Sequence, residues 1–329
     1  MLMRMLPFLL SLLILSGCEQ YAVSSTPKKK PLVSNTPLTL QAEKNFWDTL
    51  HQGRYENLSH TIELLTRAYL QNPFDPRLAS HLGFAHIWKI TERGRLPEVP
   101  ASIVNEIILA NKYFSDAVEL NPHDPRILGF LADSRLVEGQ IFKNERQQTR
   151  AFFMLKRAIR AWPQFNYFAA GYPMSTLPAD SEHFKQGLEW QWKTLEVCAK
   201  HKIDRKNPDY SPYMKLETQQ GPERACWNSW IAPHNFEGFF LNMGDMLVKN
   251  GDWQTAIKIY KNAMLAKSYS NWPFRALLEN RIAHAKENVA YFQGSKIKPP
   301  EKTILFNSGY GCVACHQSGS LDRKIQENK

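Results

Sequence analysis

Cys312-Val313-Ala314-Cys315-His316 is the stretch of this 329-residue chain whose residue types and spacing imply chemistry of their own. Two thiols three positions apart can each form a thioether with one vinyl group of a haem. The histidine directly after them is then held beneath the iron as proximal ligand, its neutral imidazole nitrogen donating to the metal. The same thiols could instead close a redox disulfide or make half of a zinc site. A zinc site would need a second Cys or His pair at close spacing, and none of the other three of the 5 cysteines lies nearby. The spacing therefore predicts one covalently held haem c, with Cys312 and Cys315 as thioether donors and His316 on the iron.

The opposite terminus agrees with that chemistry. Met1-Leu2-Met3-Arg4 is a short basic start, and the run from Met5 to Leu15 is apolar apart from Ser11. Such a pattern reads as an export signal over residues 1–17, too short to span a bilayer. Its ending, Leu15-Ser16-Gly17-Cys18, resembles the lipobox of bacterial lipoproteins. The resemblance implies cleavage before Cys18, which receives the lipids, and several acyl chains on one residue anchor stably. Glu19 after Cys18 resembles the sorting signal for the outer membrane. The alternative is an ordinary secretory signal with a coincidental cysteine. In bacterial c-type cytochromes haem attachment also follows export, so the two termini point to one compartment, the periplasm-facing cell envelope.

Composition bounds the rest. The chain is 43% hydrophobic and 12% aromatic, which is globular rather than disordered, and its formal charge is +10. A basic surface suits anionic headgroups or an acidic redox partner, and an exported lipoprotein rarely meets nucleic acid. Cys198 and Cys226 lie 28 apart, so in an oxidising compartment we expect a disulfide, with two buried thiols as the alternative. By chain entropy the bridge would stabilise by roughly 3 kcal/mol.

Residues 18–38, with Ser24-Ser25-Thr26-Pro27 and Lys28-Lys29-Lys30, read as a polar, flexible tether. From 39 to 294 the sequence reads as all-α. Asn72-Pro73-Phe74-Asp75-Pro76-Arg77 and Asn121-Pro122-His123-Asp124-Pro125-Arg126 repeat one helix-to-helix joint 49 residues apart. The first proline of each ends a helix, Asp caps the next, and the second proline takes its first turn. Near the C-terminus Phe240, Gly244, Leu247, Gly251, Trp253, Ala256, Tyr260 and Ala263 resemble the tetratricopeptide repeat. That resemblance implies large residues packed between paired helices, close approach at the small ones, and a tight turn at Gly251-Asp252. The same grammar places Leu82-Gly83 opposite Ala110, Phe114, Ala117 and Pro122, and Leu131-Ala132 opposite Ala151, Leu155, Ala158 and Pro163. Thr61 fills a small-residue slot, and Glu92 to Pro100 reads as an inserted loop. Three or four such repeats would form a helical-hairpin solenoid that grips a partner protein.

Between about 174 and 236 the pattern fades. Trp190, Trp192, Trp227 and Trp230 gather there with both mid-chain cysteines, and the reading is a Trp/Pro-rich insertion pinned by Cys198–Cys226. A final helix is expected from Pro273 to about Phe292. Residues 295–329 are then a linker and a short irregular haem segment. The 13 residues after His316 hold neither Met nor His, so the haem must lean on the helical domain, be shared with another protein, or stay partly exposed. The sixth ligand is open. His234 is a weak candidate, Met243, Met246 and Met264 are more simply core, and His81, His86 and His284 are helical and unremarkable.

No phosphate-cradling glycine loop, His-Glu-x-x-His helix or Gly-x-Ser-x-Gly elbow occurs, and Glu217 and Glu223 have no evident tuning partners. An enzyme independent of haem is not expected. The leading reading is a lipid-anchored monohaem protein relaying electrons to or from a partner. The alternatives are a scaffold with a structural or sensory haem, and a five-coordinate haem acting on peroxide or sensing a gas.

Overall fold

The computed structural model describes residues 20–216, 218, 220–226, 236–267, 269–294 and 304, and the regular elements among them are all helical. Local chemistry sets most of the boundaries. Thr36 accepts from the Thr39 N–H at 3.2 Å and Pro37 follows it, which starts α1 (Pro37–Gln52); Gly53 ends it with φ 61°. After α2 (Leu58–Gln71), Asp75 accepts from the Arg77 N–H at 2.9 Å to open α3 (Pro76–Thr91). The second copy of that block behaves identically. It closes α4 (Val104–Leu120), and Asp124 accepts from the Arg126 N–H at 2.9 Å to open α5 (Pro125–Ile141). Asn144 caps α6 (Glu145–Ala161), and Trp162 alone separates it from α7 (Pro163–Gly171). Pro163 therefore starts a helix instead of closing one. Ser181 caps α8 (Glu182–Ala199). Beyond the irregular stretch come α9 (Phe236–Lys249), α10 (Trp253–Asn262), α11 (Arg275–Ala283) and α12 (Ala285–Phe292).

The most extensive helix–helix contacts are α3 with α4, α5 with α6, α9 with α10 and α7 with α8; α1 with α2 and α4 with α5 follow equally. Each pair also touches the next, and α12 closes over α9 and α10. One apolar core runs from α1 to α5 and a second from α7 to α12. Two glycines let paired helices approach. A Cβ on Gly83 would sit 2.6 Å from the Phe114 ring, and one on Gly244 would sit 2.2 Å from the Tyr260 ring. Thr61, in a slot suited to a smaller residue, is buried because its hydroxyl meets Asn45 Oδ1 at 2.7 Å, the Asn57 carbonyl and Thr49. Residues 93–103 form the loop between α3 and α4, with two 3-10 turns.

Three local expectations read differently in the structure. Within the stretch 174–236, α8 is an 18-residue helix paired on α7, and it carries Trp190 and Trp192 into the core. The irregular part begins only at Lys200. The expected final helix is two helices, broken at His284 (φ −115°, ψ 19°). There the imidazole Nδ1 lies 3.0 Å from the Asn280 carbonyl, which already accepts the His284 N–H at 3.1 Å, and the shared acceptor bends the chain. Residues 29–34 are also not a free tether. The Leu32 N–H donates to the Phe74 carbonyl (2.9 Å), Asn72 Nδ2 to the Leu32 carbonyl (2.6 Å), the Ser34 N–H to Asp75 Oδ2 (2.8 Å), and Arg77 to the Ser34 carbonyl (2.7 Å). The polar rim of the first helix joint thus captures an extended backbone whose side chains gave no reason to expect it.

Asp75 is the centre of that contact. Burial alone would raise its carboxyl, but the bonds from Arg77 and from the Ser34 N–H hold it below its ordinary value. A lowered folded value stabilises above the unfolded pKa, and that stabilisation is lost as pH falls through the folded value. Asp75→Ala is expected to cost about 2 kcal/mol at pH 7, through the lost cap and strap bonds. The gap from wild type should narrow as pH drops below the ordinary aspartate range, as read by urea unfolding at several pH values.

Cys198, near the end of α8, and Cys226 are joined by a disulfide with Cα atoms 5.5 Å apart. The Lys200–Glu223 ion pair lies alongside at 3.1 Å, so Glu223 has a structural partner. The joint variant Cys198→Ala/Cys226→Ala is expected to lose about 2–3 kcal/mol in urea unfolding while keeping its helical circular dichroism.

Candidate functional site

The C-terminal helices α9 to α12 are the last described elements before the Cys-x-x-Cys-His motif in the sequence. In α9 an acid sits inside an apolar run, Phe239-Phe240-Leu241 before it and Met246-Leu247-Val248 after it. That acid, Asp245, is buried, and so are Tyr260 of α10 and Arg281 of α11. The Tyr260 hydroxyl donates to Asp245 Oδ1 at 2.6 Å, and Arg281 Nε lies 3.3 Å from the same oxygen. Arg281 also stacks over the Phe292 ring at 4.9 Å, which ties α11 to α12. Burial pushes the Asp245 carboxyl up, against the opposing pull of Arg281 and Tyr260, and burial also pushes the Tyr260 phenol up. One buried cation thus holds three helices on one carboxylate. This network was not anticipated, although a lone acid inside an apolar helix is the signal that could have revealed it.

The chain leaves this body at a fixed point. Gln293 Nε2 donates to the Lys249 carbonyl at 3.0 Å, and Gly294 turns with φ 82°. Lys249 is itself buried, its ammonium on the Ser175 carbonyl at 3.0 Å and over the Phe184 ring. Ten residues after Gly294, Ile304 packs back against the same core. Cys312 is eight residues further on, which caps its distance from Ile304 at about 28 Å.

Cys312, Cys315 and His316 lie outside the described residues, as do Cys18, His234, Trp227, Trp230 and Glu217. Of the other ligand candidates, Met243 and Met246 are fully buried in the core. Met264 is 42% exposed. His81 stacks on Phe46 at 4.4 Å, and desolvation together with Arg77 pushes its imidazole down to about 3, so it is neutral. His86 is buried with Nδ1 2.6 Å from Glu106 Oε2. His284, half-exposed at the break between α11 and α12, makes its one described side-chain bond through Nδ1. Among the described residues, no three His, Cys, Asp or Glu side chains converge as a metal site, and no helix is long and apolar enough to cross a membrane.

Comparison with known proteins adds no relative: no family model, no curated protein and no solved structure matches this chain.

Proposed function

We propose that this chain is a lipid-anchored monohaem protein of the bacterial cell envelope, relaying single electrons to or from a partner held by its helical domain. The observation that carries the reading is Cys312-x-x-Cys315-His316. Its donor set, two thiols and an adjacent imidazole, is the one a covalent haem c requires. Cys312 and Cys315 would hold the macrocycle and His316 would ligate the iron. The group, when bound, supplies one-electron exchange at a potential set by its sixth ligand and surroundings.

The chain's own part is positioning. The Gln293–Lys249 bond and the return of Ile304 to the core support a haem segment that leans on α9 to α12. Met243 and Met246 cannot serve as sixth ligand without opening the core. Met264, His284 and His234 remain as candidates from this chain. His284 has one favourable feature: its Nδ1 sits on a backbone carbonyl, the arrangement that turns Nε2 outward in ligating histidines.

The fine reading of the helical domain as a tetratricopeptide-like solenoid that grips a partner protein belongs to the same proposal. It is supported by sequential helix pairing and by the matched close approaches Gly83–Phe114 and Gly244–Tyr260. Cys18 would carry the lipid, with the outer membrane slightly favoured by Glu19.

The test is the absorption spectrum of the exported protein, oxidised and reduced, with and without carbon monoxide. An electron carrier gives a low-spin, six-coordinate spectrum indifferent to carbon monoxide. A high-spin spectrum that shifts with carbon monoxide or peroxide moves the assignment to a ligand-binding or peroxidatic haem. A redox state that never responds to any partner leaves a scaffold.

A further inference from the structure

The first helix joint exposes an apolar patch that its own strap helps to build. Leu32 and Val33 of the strap are 61% and 53% exposed, Leu70 in the last turn of α2 is 72% exposed, and Phe74 is 40% exposed. The Leu32–Phe74 and Asn72–Leu32 backbone bonds hold strap and joint side by side. Two exposed large side chains on each of two segments that are bonded to one another are unusual on a surface that faces only water. Lysines border the patch. Lys29 is engaged with Glu119 at 3.1 Å and Asp116 at 3.8 Å, whereas Lys28 and Lys30 are exposed and have no ion-pair partner among the described residues.

We infer that this patch is a membrane-contact face: Leu32, Val33, Leu70 and Phe74 seat in the interface of an anionic bilayer, with Lys28 and Lys30 on its headgroups. The occupant follows from continuity and charge. On the lipid-anchor reading, on which this inference rests, Cys18 is already in the bilayer. From Cys18 to Leu32 the helical stretch over 20–25 leaves nine steps that can at most be fully extended, which caps the distance of the patch from the anchored residue at about 40 Å. A short apolar surface flanked by lysines is the composition that binds at the interface instead of crossing it. The consequence is orientation: the α1–α3 end of the array is the end that meets the membrane.

The experiment uses the full mature chain carrying Cys18→Ser behind a conventionally cleaved secretory leader, so that lipidation cannot contribute. Flotation with vesicles of 70% phosphatidylcholine and 30% phosphatidylglycerol should capture it, and pure phosphatidylcholine vesicles should capture it less. Lys28→Gln/Lys30→Gln should lower partitioning about 25-fold, near fivefold per lysine. Leu70→Glu/Phe74→Glu should lower it at least tenfold with unchanged helical circular dichroism. If the chain does not float, or if both variants float like wild type, the membrane face is wrong. If Leu70→Glu/Phe74→Glu instead abolishes a concentration-dependent dimer while vesicles are ignored, the face belongs to a second copy. The anchor is read separately, from the mass of the protein made with its own leader, so a missing lipid and a missing patch give different results.

Discussion

Arg281→Leu is expected to destabilise the chain by about 3–5 kcal/mol, the range for removing one partner of a buried ion pair. Arg281 and Asp245 are both buried, the pair is 3.3 Å apart, and the remaining contact to Asp245 Oδ1 would be the Tyr260 hydroxyl. The carboxylate would then have to fold charged without a cation, or fold protonated. Its folded value is already raised by burial, and losing Arg281 raises it further. For an acid whose folded pKa lies above its unfolded one, stability is fully present below the unfolded value and is lost as pH rises. The penalty of Arg281→Leu should therefore grow as pH rises above the ordinary aspartate range and shrink on acidification. Adding Asp245→Asn in the same chain should recover much of the loss and flatten the pH dependence. Urea unfolding of the four species at two pH values gives the cycle. A pH-independent penalty that Asp245→Asn does not relieve would show that Arg281 does not act through Asp245.

Gly244→Ala is expected to cost about 3–4 kcal/mol, although alanine is the better helix former by about 1 kcal/mol. The added Cβ would fall 2.2 Å from Tyr260 Cε1, far inside contact distance. The ring cannot step aside cheaply, because its hydroxyl is bonded to Asp245 and the side chain is fully buried. Gly83→Ala makes the comparison. There the Cβ meets the Phe114 ring at 2.6 Å, and phenylalanine carries no polar tether. The expected cost is smaller, about 1–3 kcal/mol. Thermal unfolding of the two variants checks the order. Equal costs would mean that the α9–α10 pair yields as easily as α3–α4.

These contrasts separate what the residues announce from what they do not. The two Asn-Pro-x-Asp-Pro-Arg joints were legible because stop, cap and restart are all local chemistry, and Asp75 and Asp124 cap with identical geometry. The small-against-large pairing of Gly244 with Tyr260 was legible because its spacing is fixed by the helical repeat. The partner of Asp245 was not, since Arg281 is 36 residues away and only the packing of α11 and α12 brings it there. The break at His284 left no mark either: Ala283-His284-Ala285 contains neither glycine nor proline, and the bend comes from one imidazole competing for one carbonyl. The strap at 29–34 was read as free because its contacts are mostly backbone N–H and C=O groups, which every sequence has. α8 was hidden because Trp190 and Trp192, two positions apart, blur the helical period. For the candidate site, the motif itself is entirely sequence-borne, and the structure describes the helices that precede it in the chain.

The central claim is a covalent haem on Cys312 and Cys315, and the most direct measurement is the intact mass of the denatured, exported protein made with the haem-attachment machinery present. We predict a chain heavier by one haem after acid extraction that removes any unattached haem, with the adduct absent from Cys312→Ala/Cys315→Ala. A chain of unmodified polypeptide mass beyond its lipid, with Cys312 and Cys315 as free thiols or a disulfide, would contradict the account and leave a helical scaffold.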